Sequence, residues 1–145
     1  MSIRQASESD LPKLVDLWLR SVRATHDFLT EDDIAFLLPL VQSQALPNLE
    51  LWVADQQEQI AGFVGLAGNK VEALFIAPEF FRQGLGRQLI DHARALQGPL
   101  LVDVNEQNPA ARAFYESLGF RVIGRSPLDS TGRPFPLLHL SEENS

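Results

Sequence analysis

Asn105-Glu106-Gln107-Asn108-Pro109-Ala110-Ala111-Arg112-Ala113-Phe114-Tyr115-Glu116-Ser117-Leu118-Gly119-Phe120 is the stretch on which the reading of this chain turns. It predicts a strand end, a helix over Pro109–Leu118 and the start of a return strand. Asn108 suits the N-cap, Pro109 takes the first helical position where no N–H is needed, and Gly119 lies just past the end. Ala110, Phe114 and Leu118 read as the core stripe, with Tyr115 beside it. It is the single tyrosine of the chain. Phenylalanine would pack equally well there, so the hydroxyl asks for a chemical explanation.

Upstream, Phe81-Arg82-Gln83-Gly84-Leu85-Gly86-Arg87 opens another helix, predicted over Gly84–Gln97 with Leu85, Leu89, Ala93 and Leu96 on its buried face. The first N–H groups of a helix have no internal acceptor, and the helix dipole adds positive potential there. Glycines at 84 and 86 let an anion approach that backbone, and Arg82 and Arg87 add cationic side chains. The turn is thus a candidate phosphate seat, although a loop needing two glycines for its geometry would look the same. A P-loop is excluded because its Gly-Lys-Ser/Thr is absent. A dinucleotide fingerprint would need glycine where Leu89 stands.

The remaining pattern supplies the frame. Ser2–Ala6 reads as a strand. A helix capped by Ser9 or Asp10 follows, with Leu11, Leu14, Val15, Trp18 and Val22 on one face. A second helix runs from Thr30 to about Ala45 with a break at Pro39. Leu49–Asp55 and Gln59–Gly65 form a hairpin, and Gly62, Gly65 and Gly68 imply a bend or close approach. Val71–Ile76 is the next strand. Leu100–Val104 is almost wholly apolar, as befits a central strand covered on both faces. Phe120–Gly124 and Phe135–Leu140 close the list, with a loop at Ser126–Pro134 and a frayed Glu142–Ser145 tail. This order predicts an α/β mixed sheet with helices on both faces, and one domain over residues 1–145.

The absence of cysteine excludes disulfides and thiolate nucleophiles. His26, His92 and His139 lack ligand spacing, so no metal is expected. There is no signal-peptide pattern and no apolar run of ~20 residues, which predicts a cytoplasmic location. A net charge of −7 argues against nucleic acid as a partner and suits a cationic amine.

Together these motifs resemble the GNAT superfamily of acetyl-CoA-dependent N-acetyltransferases, in element order over nearly the whole chain and most closely from Val71 to Phe120. Leu74-Phe75-Ile76-Ala77-Pro78 is similar to that family's fourth strand, and Gln83-Gly84-Leu85-Gly86 to its acetyl-CoA loop. Val104-x3-Asn108-x-x-Ala111-x3-Tyr115-x3-Gly119-Phe120 is similar to its fifth strand and following helix. Ala24-Thr25-His26-Asp27-Phe28-Leu29, Val104–Asn108 and Pro134-x-Pro136-Leu137-Leu138 resemble the bacterial YjaB-like branch. In one departure, Phe81 stands where the family loop carries Arg or Gln, and the arginine is displaced to Arg82.

The resemblance implies a mostly antiparallel sheet of about seven strands, splayed between the fourth and fifth. It implies acetyl-CoA as co-substrate and no metal. Leu74, Phe75 and Ile76 would hold the pantetheine arm, Arg82, Gln83, Gly84, Leu85, Gly86 and Arg87 the diphosphate, and Asn105 and Asn108 further parts of the cofactor. An amine would attack the thioester directly, with Tyr115 protonating the departing sulfur and Glu72 or His26 acting as base. The apolar neighbours of Glu72 would raise its pKa, and Asp27 would attract a cationic amine. The implied acceptor is a protein lysine or α-amine. The alternatives are a small amine or polyamine acceptor, and a non-catalytic acyl-CoA sensor. The protein would be a monomer or homodimer.

Overall fold

The computed structural model describes residues 2–142. β1 (Ser2–Gln5) leads into α1 (Leu11–Thr25) and α2 (Glu31–Leu40). β2 (Glu50–Gln56), β3 (Gln59–Ala67) and β4 (Lys70–Ile76) follow. α3 (Leu85–Gln97), β5 (Leu101–Asn105), α4 (Pro109–Ser117), β6 (Arg121–Ser126) and β7 (Leu137–Ser141) complete the fold. The strands lie side by side in the order β1-β2-β3-β4-β5-β7-β6. Among the described residues every neighbouring pair is antiparallel except β4–β5. This is the mixed α/β sheet expected from the element order, and it is mostly antiparallel with seven strands, as the resemblance implies.

Each face of the sheet carries its own core. Leu14, Leu17, Trp18 and Val22 of α1 pack with Ile34 of α2 onto Val53, Ala61 and Phe63. Leu89, Ile90 and Ala93 of α3 pack with Tyr115 of α4 onto Val64, Leu66, Val102, Val104, Leu138 and Leu140. The corner before α1 is tied by charge. Asp10 accepts the Ser7 N–H at 2.8 Å and binds Arg4 at 2.8 Å, while Arg4 also reaches Asp55 at 2.6 Å. Those bonds outweigh burial and hold the Asp10 carboxyl far below the usual carboxylate range.

What positions the site is the join between β4 and β5. Their parallel pairing is confined to Lys70 with Leu101 and Val71 with Val102. Beyond Val71 the two strands part, and the β5-facing edge of β4 from Glu72 to Ile76 has no strand beside it. A bulge between Gly65 and Leu66 disturbs the β3–β4 register at the same level and increases local twist. The bend expected from the hairpin glycines therefore falls where the sheet opens.

Five details depart from the sequence reading. Pro39 does not break α2. It lies inside the helix, which ends at Leu40 and passes into a π-helical turn over Val41–Ala45. β5 is not covered on both faces: Val102 and Val104 are buried under α3 and α4, whereas Leu101, Asp103 and Asn105, on the opposite face, are half-buried. On α3 the expected Leu96 is 45% exposed, and Ile90 fills the core in its place. On α4 the stripe is rotated, so that Tyr115 is buried and Ala110 is exposed. Finally, Glu142 is not frayed. Its carboxylate accepts the Leu100 N–H at 3.0 Å and the Arg94 Nε–H at 2.8 Å. The rest of the tail, residues 143–145, lies outside the described residues.

Candidate active site

A cleft of about 810 Å³ opens where β4 and β5 part. At one end lies the N-terminus of α3. Gly84 caps that helix with φ +79°, and Arg82 two residues earlier has φ +63°. A left-handed conformation costs a side-chain-bearing residue roughly 1–2 kcal/mol, so glycine suits position 84 and Arg82 is strained. The two left-handed residues turn the chain into α3 with the Leu85, Gly86 and Arg87 N–H groups lacking intrahelical acceptors. Arg82, Gly84, Leu85, Gly86 and Arg87 all line the cleft. Among the described residues neither Arg82 nor Arg87 is ion-paired, so both charges are available to an anion.

Two residues of this turn do something other than expected. Gly86 faces the α4 ring: a Cβ there would lie 3.1 Å from Phe114 Cζ, so the missing side chain lets Phe114 pack against the helix start. The Gln83 side chain points elsewhere. Its Oε1 accepts from Gln56 Nε2 at 2.7 Å and it does not line the cleft. What Gln83 can offer an anion there is its main chain.

The middle of the cleft is walled by Leu74, Phe75 and Ile76 of β4 on one side and by β5 and α4 on the other. Asn108 Oδ1 caps α4 by accepting the Ala111 N–H at 3.1 Å, and among the described residues its NH2 has no hydrogen-bond partner. Asn105 Oδ1 is buried without a partner among the described residues. An orphaned acceptor in a cleft wall suits a ligand that brings its own amide N–H groups. Tyr115 is 6% exposed and packs edge-on to Phe114 and Phe120 at 5.0 and 5.3 Å. It reaches the cleft, and burial pushes its phenol above the ordinary tyrosine range, which keeps it protonated.

His26 closes the far end, at the C-cap of α1. The Thr25 hydroxyl donates to the Ser21 carbonyl at 2.8 Å and also lies 2.8 Å from His26 Nδ1. A hydroxyl has one proton, and the carbonyl can only accept it. His26 Nδ1 must therefore carry the hydrogen that Thr25 accepts, and in the neutral ring Nε2 keeps its lone pair. Burial lowers the His26 pKa more than nearby Asp27 raises it, so the ring is neutral at pH 7. Rings surround it: Phe28 at 5.4 Å and Phe75 at 6.4 Å.

Glu72 lines the cleft but lacks the apolar enclosure expected of it. Its side chain is 38% exposed and meets Lys70 Nζ at 3.3 Å. Local sequence also gave no sign of several neighbours. Phe80 and Asp103 line the cleft. Arg133, from the loop before β7, reaches back to Asp33 of α2 at 2.7 Å and stacks over Phe36. Such partners are joined by topology alone. Among the described residues no group of three or more His, Cys, Asp or Glu is placed to hold a metal ion, and no helix is long and apolar enough to cross a membrane. The His92 ring packs edge-on to Trp52 at 4.6 Å, away from the cleft.

Residues 47–122 match the acetyltransferase (GNAT) domain. The peptidyl-lysine N-acetyltransferase YjaB of Salmonella typhimurium is 46% identical over 142 residues, covering 97% of each chain. The chain belongs to the GNAT acetyltransferases. It is an N-acetyltransferase, and its reaction class is acetyl transfer to an amine. The solution structure of apo-form YjaB from Escherichia coli superposes with a TM-score of 0.89 at 43% identity, over 99% of this GNAT chain and 98% of that one. The PaiA N-acetyltransferase of Thermoplasma acidophilum, solved with coenzyme A, shares the fold with a TM-score of 0.76 at 21% identity over 99% of this chain and 98% of that one.

Proposed function

We propose that this protein moves the acetyl group of acetyl-CoA to a protein lysine or α-amine, by direct attack and without an acyl-enzyme. The observation that carries this reading is the parting of β4 from β5, which joins an anion-ready helix end to a buried, protonated phenol through one continuous cleft. The names of the YjaB relatives support a peptidyl-lysine acceptor, and the coenzyme A held by PaiA supports the co-substrate. We place the whole activity in residues 1–145 as one cytoplasmic unit, with no metal in the scheme.

Residues 83–87 bind the diphosphate through main-chain N–H groups, and Arg82 and Arg87 add charge. The free edge of β4 at Leu74–Ile76 pairs with the amides of the pantetheine arm as an added strand would. The Asn108 NH2 and Asn105 Oδ1 offer one donor set and one acceptor along that path. Acetyl-CoA supplies the thioester carbonyl that the amine attacks.

Tyr115 donates its proton to the sulfur as the carbon–sulfur bond breaks. The apolar surroundings that raise the phenol's pKa also raise the basicity of a thiolate formed beside it, so the match survives burial. A lysine amine with pKa ~10.4 must first lose a proton. His26 Nε2 holds a lone pair at neutral pH and takes that proton directly or through one water. Glu72, exposed and paired with Lys70, attracts the incoming ammonium ion and is the second candidate base.

The test is release of free coenzyme A thiol, followed with Ellman's reagent, using lysine peptides, peptides with a free α-amine, and polyamines. Turnover with a peptide acceptor above that with polyamines is expected. Turnover with polyamines alone would move the acceptor to small amines. Acetyl-CoA binding without turnover on any amine would make the protein a sensor.

A further inference from the structure

On the open face of the β5-β7-β6 half of the sheet, three side chains form a hydrogen-bonded row that the scheme above does not use. Ser126 Oγ lies 2.7 Å from His139 Nε2, and His139 Nδ1 lies 2.6 Å from Asp103 Oδ1. Lys70 Nζ holds the second Asp103 oxygen at 2.8 Å, and Glu72 flanks Lys70. These residues come from β4, β5, β6 and β7, and the strand register brings them into line.

Chemistry assigns the protons. Burial alone would raise the Asp103 pKa, but the bonds from Lys70 and His139 outweigh it, so the carboxylate is ionised and can only accept. His139 Nδ1 must therefore carry a hydrogen. In the neutral ring Nε2 then bears the lone pair, and the Ser126 hydroxyl is its donor. A hydroxyl on a base that is itself oriented by a carboxylate is the arrangement that activates serine for nucleophilic attack. The row is reachable from solvent: the His139 side chain is 33% exposed and Ser126 is half-buried. Gly124 lies opposite His139 in the β6–β7 pairing. Tyr115 lies on the other face, where Val102, Val104, Leu138 and Leu140 alternate with Asp103 and His139 and pack with it.

We infer that Ser126 is a second nucleophile, one that accepts an acyl group from an activated carboxylic ester. Ser126 Oγ bonds to the ester carbonyl carbon while its proton passes to His139 Nε2. The carbon–oxygen bond to the leaving alcohol breaks, and that oxygen takes the proton from Nε2. Water then repeats the route on acyl-Ser126, releasing a carboxylic acid and the free hydroxyl. Asp103 holds the imidazole in the required tautomer and acts as a positioning residue.

The experiment treats the full chain, without acetyl-CoA, with a fluorophosphonate and maps the adduct by peptide mass. The expected result is modification of Ser126 about tenfold or more faster than of any other serine, falling by a similar factor in His139→Gln and in Asp103→Asn. Thermal unfolding confirms that each variant is folded. Hydrolysis of p-nitrophenyl acetate is lost in Ser126→Ala, while acetyl transfer from acetyl-CoA to an amine is unchanged. An unmodified Ser126, or one that reacts as fast in both folded variants as in the parent, overturns the inference. The labelling and ester-hydrolysis steps use no acetyl-CoA, so their failure leaves the acetyltransfer reading untouched.

Discussion

The two ends of the cleft are built from different materials. The α3 end consists of main-chain amides, two left-handed residues and a glycine that accommodates a ring. The His26 end consists of side chains gathered from distant parts of the chain: Thr25 and His26 from the end of α1, and Phe75 of β4, whose ring lies 6.4 Å from that of His26. A site made of backbone tolerates loss of side chains and fails when a side chain is added. A site made of side chains does the reverse. The substitutions below exploit that difference.

Tyr115→Phe removes one oxygen from a residue that lines the cleft. Turnover should fall by ~10²–10⁴, the usual worth of a proton donor, with acetyl-CoA affinity and thermal stability close to those of the parent. Stopped-flow thiol release and calorimetric titration together check this, and equal loss of turnover and affinity would remove the proton-donor role.

His26→Gln should cost about 10²-fold in turnover at neutral pH. It should also abolish the acid limb of the rate profile, which lies below about 6.5 because burial lowers the folded pKa. Stability follows the same sign. The unfolded chain binds this proton more readily, so the parent loses stability as pH falls from about 6.5 through the folded value, and the variant loses less. Urea unfolding at a series of pH values tests it, and identical curves for the two proteins would contradict the assignment.

Gly86→Val inverts the logic at the other end by adding carbon where a Cβ would already meet Phe114 at 3.1 Å. Overpacking should cost about 1–3 kcal/mol of stability and weaken acetyl-CoA binding more than it slows turnover at saturation. Arg82→Gly gives the smallest effect, in two opposed parts. Relief of the left-handed strain should add about 1 kcal/mol of stability, and loss of the exposed charge should weaken acetyl-CoA binding by a similar amount or less. A gain in melting temperature with a reduced salt dependence of affinity is the expected pair of readings.

The same contrast separates what the sequence made legible from what it did not. Caps are local, so Asn108, Pro109, Gly119 and the glycines at 84 and 86 announced both helices and where they begin. Tyr115 stood out for its hydroxyl, yet its face was misjudged, because adjacent positions on a short helix differ by about a quarter of a turn. Leu96 was misplaced because helical periodicity does not show where a helix runs past its sheet. The apolar run of β5 suggested cover on both faces, and composition carries no record of which face the helices take. Nothing local links Ser126, His139, Asp103 and Lys70. That row depends on the register of four strands, and register is set by tertiary packing.

The central claim is that the free amides at the start of α3 hold a diphosphate and thereby aim a thioester at Tyr115. Titration calorimetry of the parent protein with acetyl-CoA and with coenzyme A, at low and at high salt, tests it most directly. The account predicts one site per chain for both ligands, weakened by salt and by Gly86→Val and unchanged by Tyr115→Phe. Absence of binding heat with both ligands, together with no protection of the residue 83–87 amides from hydrogen exchange, would contradict it.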